Sequence, residues 1–163
     1  MTGDQGTSIR EDVVVLLARA SGSALRTANA ALEPFGFRAR HYATVKIAAE
    51  GGGVPQRQIG AVLGLDPSAV VALVDDLESL GLVQRQPDPD DRRTRLVSPT
   101  PAGLTMLEKV SPVVGRVQER SMGGLTAAER DTFVRLLRRV VNELSSARSR
   151  DVSGSGERRA VAQ

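Results

Sequence analysis

The chain has 163 residues, 40% of them hydrophobic and 25% charged, with a net charge of +3, which is room for one domain or one domain with an extension. It has no cysteine and a single histidine, which excludes disulfides, thiolate metal sites and cysteine nucleophiles and argues against histidine-based metal clusters and most histidine-dependent triads. Its bases are nearly all arginine, whose planar fork matches phosphates and guanine edges better than lysine does, so where the arginines lie must carry any case for a nucleic-acid partner.

Residues 1–7 are polar and read as a flexible N-terminus. "SIRE" then forms a capping box, Ser8 with Glu11, ahead of apolar residues at helical spacing from Val13 to Leu32. Pro34 and Gly36 end that helix. A second helix is expected over 39–50, stopped by "GGG" at 51–53. A short helix follows, with Ile59, Val62 and Leu63 inward. A tight Gly64-Leu65 connection leads to the next helix, which has Asp66 as N-cap, Pro67 at the first helical position, and Val70, Leu73, Val74 and Leu77 buried. Gly81 suits a left-handed position just past its end. Two helices joined so tightly outline a helix-turn-helix. "LVQRQ" and "TRLVS" then form two β-compatible arms around the loop "PDPDDRR", and a hairpin appended to a helix-turn-helix makes a winged helix.

The rest of the chain reads as helical. Thr100 caps and Pro101 opens a helix with Leu104, Leu107, Val110, Val114 and Val117 inward and Pro112 as an expected kink. A second capping box, Thr126 with Glu129, precedes a stripe of Phe133, Leu136, Leu137, Val140, Val141 and Leu144. From 148 to 163 periodicity disappears and a disordered tail is expected. The outer helices carry long apolar stripes, and a symmetric dimer built from both ends is the simplest way to bury them; a monomeric helical domain is the alternative. No apolar run approaches the roughly 18 residues that span a bilayer, and "MTGDQGTSIRED" lacks the basic and apolar regions of a secretory signal. The expectation is a cytoplasmic protein without membrane contact.

From "LEPFGFRARHYATV" through "LVDDLESLGLVQRQPDPDDRR" to "LVSPTPAGL" the order of elements resembles the MarR family of bacterial transcriptional regulators. The most specific part is the end of the recognition helix, the Gly-Leu-Val strand and the Asp-x-Arg-Arg wing in uninterrupted register. The resemblance covers roughly 8–147. It implies a mainly α fold with a small β wing: a winged helix-turn-helix lobe over 36–100, flanked by dimerisation helices over 8–35 and 101–147. It also implies a homodimer on a palindromic double-stranded DNA operator, a recognition helix in the major groove, and a wing arginine in or near the minor groove. Many members are repressors that release DNA when a small phenolic or similar ligand binds between the lobes. The recognition helix departs from the pattern: family members often carry Thr and Arg on the exposed face, whereas Val71, Ala72, Asp75 and Asp76 stand here. Pro99-Thr100 replaces a Leu-Thr, and Pro55 stands at the usual Ser or Thr cap.

On this reading DNA is met by Gln56, Arg57, Ser68, Ala69, Val71, Ala72, Arg85, Arg92, Arg93 and Arg95. Ala69, Val71 and Ala72 would read thymine methyls, giving an A·T-containing half-site. Asp75 either accepts from cytosine N4 or pairs with an arginine such as Arg85 or Arg93 and orients the wing; the second is favoured, because an unpaired carboxylate beside phosphates weakens binding. Asp90 is expected to help orient the wing. Arg38, Arg40, His41 and Tyr42 form a candidate pocket for an anionic aromatic effector. The competing readings are a winged-helix protein-interaction module, favoured by the acidic recognition helix, and an enzyme. The wing carboxylates sit on an exposed loop beside arginines, where acid–base tuning is poor, and "GGG" lacks the lysine of a phosphate-binding loop. No catalytic residue, cofactor or metal is expected.

Overall fold

The computed structural model describes residues 9–10, 12–91 and 93–160, with side chains described to Ala147. The elements are α1 (Val13–Leu32), a 3-10 turn (Glu33–Phe35), α2 (Ala39–Glu50), β1 (Val54–Pro55), α3 (Gln56–Leu63), α4 (Pro67–Ser79), β2 (Val83–Pro87), β3 (Arg95–Pro99), α5 (Pro101–Ser121) and α6 (Ala127–Ala160). The expected fold, mainly helical with a small β wing, is the observed one.

Local chemistry accounts for most boundaries. The α1 helix starts later than expected: Asp12 is its N-cap, its carboxylate accepting from Val14 at 2.8 Å and Val15 at 3.2 Å. The expected capping pair, Ser8 and Glu11, lies outside the described residues. α3 and α4 meet at a bend of 111°, within the usual range for a helix-turn-helix. Gly64 makes that bend at φ 64°, a left-handed conformation that a side chain disfavours, and Gly81 ends α4 as expected at φ 68°. Asp66 occupies the N-cap of α4, but its side chain accepts no capping hydrogen bond. The Thr126–Glu129 box forms: the Thr126 N–H donates to the Glu129 carboxylate at 2.7 Å, and the Glu129 N–H donates to Thr126 Oγ1 at 3.3 Å. The Thr126 N–H, and the Thr126 hydroxyl donating to the same carboxylate at 2.8 Å, hold the exposed Glu129 carboxyl below its ordinary pKa. The α5 helix continues through Pro112.

The expected two-armed wing is part of a three-stranded antiparallel sheet, in the order β1-β3-β2. Two residues of β1, Val54 and Pro55, pair with Val97 and Leu96. A strand this short has no alternation to find in the sequence.

A single core holds the lobe together: Phe37, Val45 and Ala48 from α2 and its lead-in, Ile59 from α3, Val70, Val74 and Leu77 from α4, and Val54, Val83 and Val97 from the sheet. Leu32 of α1 and Val110 and Val114 of α5 enter the same core. α5 is pinned where it begins. Thr100 Oγ1 donates to the Gly81 carbonyl at 2.6 Å and accepts from the Gly103 N–H at 3.1 Å. Gly103 lies so close to the Leu82 backbone that a Cβ there would stand 2.0 Å from the Leu82 carbonyl oxygen.

Two residues expected inside are outside. Val62 is 59% exposed and Leu104 is 43% exposed. The buried face of α3 centres on Ile59, Gly60 and Leu63, and that of α5 on Gly103, Val110 and Val114. At about 100° per residue, Val62 and Leu104 lie roughly a quarter turn off those faces. The α6 stripe keeps its spacing, but in the single chain Phe133, Leu136, Val140, Val141 and Leu144 are 40–62% exposed. The α6 backbone runs on to Ala160, past the loss of periodicity at 148. No apolar stripe supports that stretch, and its two glycines each disfavour helix by about 1 kcal/mol relative to alanine.

Candidate nucleic-acid interface

Asp88, Asp91 and Thr94 shape the wing. The Asp88 carboxylate accepts from the Asp90 N–H at 2.9 Å, and the Asp91 carboxylate accepts from the Arg93 N–H at 3.0 Å and from the Thr94 hydroxyl at 2.9 Å. The first two are each an aspartate closing onto the backbone two residues ahead. Asp90, expected to orient the wing, enters this turn as a backbone donor; the acceptors are its neighbours. The bonds leave Arg93 exposed at the tip and Arg95 exposed at the start of β3, with no ion pair to another described residue. Arg92 lies outside the described residues.

Arg85, expected to reach DNA, is turned inward. Its Nη2 donates to Asp75 at 2.6 Å, its Nη1 to Glu78, and its Nε and Nη2 to Gln56 Oε1 at 3.0 and 2.8 Å. The Glu78 carboxylate also accepts the Arg85 backbone N–H at 2.9 Å. Partial burial alone would lower the Arg85 pKa; the hydrogen bonds to Asp75 and Glu78 outweigh it and hold the guanidinium above its ordinary value. The pairing chosen for Asp75 is thus the one present, with Arg85 as its partner. Four of the five guanidinium N–H donors serve this network. Arg85 is a brace between α3, α4 and β2 rather than a free cation.

Along α4 the expected contact residues divide between two sides. Ser68, Val71 and Ala72 are exposed, Val71 at 42%. Ala69 is half-buried and, with Ala72, Leu73 and Asp76, forms one wall of a cavity of about 480 Å3. The spacing of these residues places them on one face of the helix. Its opposite wall is Leu25 and Asn29 of α1 with Arg38, Arg40 and His41. Three of the four candidate pocket residues therefore meet at one cavity; Tyr42 does not, because its ring packs half-buried against the core. Ala69 is half-buried at this cavity, whereas Ala72, which also lines it, is exposed. On the other side, Gln56, Arg57, Val71, Val141 and Leu144 line a cavity of about 590 Å3 between the α3–α4 corner and α6, with Arg57 exposed.

His41 joins the pocket to the recognition helix. Its Nε2 stands 3.0 Å from the Asp76 carboxylate, and its ring packs on Phe37 at 5.4 Å between centroids. Burial lowers the His41 pKa below 6.5, with Asp76 pulling the other way and Arg38 adding to the lowering. The neutral ring must then carry its proton on Nε2, since a carboxylate only accepts. Among the described residues Nδ1 is a buried acceptor without a partner, and the hydroxyl of Thr44 one turn on also has none. Both aspartates that made the recognition helix look acidic are therefore paired, Asp75 with Arg85 and Asp76 with His41.

The sequence reading missed Glu78 and the His41–Asp76 bond. Glu78 lies three residues past Asp75 on the same helix face, a spacing that could have flagged a shared cationic partner. Among the described residues no group of three or more His, Cys, Asp or Glu side chains could hold a metal ion, and no single helix is long and apolar enough to cross a membrane.

Residues 46–94, which span the helix-turn-helix and most of the wing, match the model of the MarR family. The chain is 33% identical over 92 residues to the HTH-type transcriptional repressor NicR of Pseudomonas putida, a match covering 56% of this chain and 58% of NicR. Among solved structures it resembles CouR from Rhodococcus jostii RHA1 bound to p-coumaroyl-CoA, at 36% identity and a TM-score of 0.75 over 85% of this chain and 95% of CouR. It also resembles a MarR-family transcriptional regulator from Rhodococcus sp. RHA1, at 34% identity and a TM-score of 0.75 over 83% of this chain and 96% of that one. NicR is named a transcriptional repressor and the second Rhodococcus protein a transcriptional regulator.

Proposed function

The chain belongs to the MarR family, and from that premise we propose that it is a homodimeric, sequence-specific regulator of transcription that binds a palindromic double-stranded DNA operator. The observation that carries this reading is the contrast between a braced helix-turn-helix and the exposed arginines beside it, Arg57, Arg93 and Arg95. Ser68, Val71 and Ala72 form the base-reading edge, Arg57, Arg92, Arg93 and Arg95 meet the backbone, and Gln56 meets the duplex beside them. The exposed stripes of α1 and α6 are the surfaces a second copy would cover. The acidic recognition helix, which favoured a protein-interaction module, is accounted for by the ion pairs of Arg85 with Asp75 and Glu78 and by the His41–Asp76 hydrogen bond.

The protein acts as a repressor released by a small anionic aromatic ligand. NicR is named a repressor, and CouR was crystallised with an aromatic acyl thioester. In this chain the ligand occupies the cavity between α1, α2 and α4, where Arg38 and Arg40 supply positive charge and Leu25, Leu73 and Ala69 an apolar wall. No catalytic activity is part of this reading.

Selection of duplexes from a random-sequence pool tests it. A palindromic sequence recovered repeatedly and bound by a 2:1 complex is the expected result. Recovery of no sequence bound more tightly than the starting pool would overturn the proposal. Release of that duplex by saturating aromatic acids or acyl thioesters is expected; unchanged binding removes the ligand-sensing part alone.

A further inference from the structure

The brace around Arg85 decides the polarity of one side chain at the interface. A guanidinium carries only donors, so an amide facing it must present its oxygen. Gln56 Oε1 accepts from Arg85 Nε at 3.0 Å and Nη2 at 2.8 Å, which uses both lone-pair positions of the carbonyl oxygen. Asp75 and Glu78 hold the same guanidinium from α4, so it cannot swing away to accommodate a turned amide. A half-turn of the Gln56 amide would set its NH2 against a cation. No described residue accepts from Nε2, which is left as a two-proton donor.

We infer that Arg85 is a positioning residue that makes Gln56 a donor-only contact to DNA. Nε2 bonds an acceptor on the duplex, a phosphate oxygen or a base-edge atom such as guanine O6 or N7. The paired donor and acceptor contact by which a glutamine reads adenine is ruled out, because the oxygen is already occupied. The inference rests on the DNA-binding reading above and deepens it by naming the chemistry of one contact.

Two measurements keep the two ideas separable. Without DNA, solvent exchange of the Arg85 Nε–H, followed by NMR, is slow in the wild type and speeds up several-fold in Gln56→Ala. Unchanged exchange means that Arg85 does not hold Gln56. With the tightest duplex recovered from selection, Gln56→Glu keeps the bonds from Arg85 but replaces the free donor by an acceptor. It is expected to weaken binding about 10-fold or more, equivalent to about 1.4 kcal/mol, and more than Gln56→Ala does. Arg85→Lys keeps the charge and loses the fork; it weakens binding in the wild type and adds nothing in the Gln56→Ala background. A single neutral methylphosphonate that cancels the Gln56→Ala loss assigns a phosphate partner, and 7-deazaguanine that cancels it assigns a base edge. Additive losses for Arg85→Lys and Gln56→Ala, or wild-type affinity in Gln56→Glu, overturn the inference. If the wild type binds no duplex, the DNA reading fails, and the exchange measurement still decides whether Arg85 orients Gln56.

Discussion

The lobe formed by α2 to β3 and the long helix α6 carry apolar residues at similar helical spacing, yet they use them differently. In the lobe, Val70, Val74 and Leu77 disappear against α2, α3 and the sheet, and polar braces such as Arg85 with Asp75, Glu78 and Gln56 lock the elements together. On α6, Phe133, Leu136 and Val140 remain 40–46% exposed. Periodicity alone does not distinguish a face covered by the same chain from one awaiting another. What distinguishes them is the neighbourhood: the lobe is cut into short pieces by Gly64, Gly81 and the wing turn, so that its elements fold back on each other, whereas α6 runs on with nothing to return it.

The largest expected effect comes from breaking the outer face. Leu136→Asp with Val140→Asp should convert a dimer into a monomer of 17.3 kDa in analytical ultracentrifugation while the circular-dichroism signal of the lobe persists. Because linked half-sites gain affinity by proximity, DNA binding should fall on the order of 100-fold or more. A variant that remains dimeric would mean that α6 is covered by its own chain.

Next comes the inner region. Gly103→Ala forces a Cβ against the Leu82 carbonyl, and overpacking of this kind costs about 1–3 kcal/mol. The urea midpoint should fall accordingly. An unchanged midpoint would show that α5 can shift away from the β2 lead-in without loss.

A smaller effect sharpens the comparison within the lobe itself. Val71 is exposed and Val70, its neighbour, is buried. Val71→Ala should leave stability nearly unchanged and weaken operator binding on the order of 10-fold per half-site for the two methyl groups each protomer loses. Thymine-to-uracil replacement at the contacted base should give a comparable loss in the wild type and none in the variant. If uracil has no effect at any position, the A·T readout is wrong.

The smallest effect is pH dependence, which the sole histidine makes clean to read. The folded His41 pKa lies below 6.5, so between that folded value and 6.5 the unfolded chain binds more protons and stability falls as pH falls. Thermal melting should therefore move to lower temperature on acidification from pH 7.5 through this window, and His41→Gln should lessen that movement. An identical pH profile in the variant would assign the acid sensitivity to carboxylates.

Much of this was legible in the sequence because backbone chemistry is local. Pro67, Gly81, Thr100 and the Thr126–Glu129 box mark helix ends through contacts only a few residues long. The wing followed from its position after a capped helix. Legibility stopped where a role depends on residues far apart in the chain. Gln56 and Arg85 are 29 positions apart and His41 and Asp76 are 35 apart, and nothing in either neighbourhood announces those bonds. Arg85 looked like another DNA-facing arginine because its charge can be read from the sequence and its partners cannot. The half-burial of Ala69 has a similar cause: the turn that α4 presents to α1 and α2 is set by packing.

That free arginines beside the recognition helix, rather than the helix itself, supply most of the affinity is tested most directly by a salt titration of operator binding. With about three phosphate contacts per protomer the log–log slope should be roughly −5 in the wild type. Removing four charges per dimer with Arg93→Ala and Arg95→Ala should flatten it by roughly 3.6, with the dimer intact. A slope unchanged by the double substitution would contradict the assignment of those arginines to DNA.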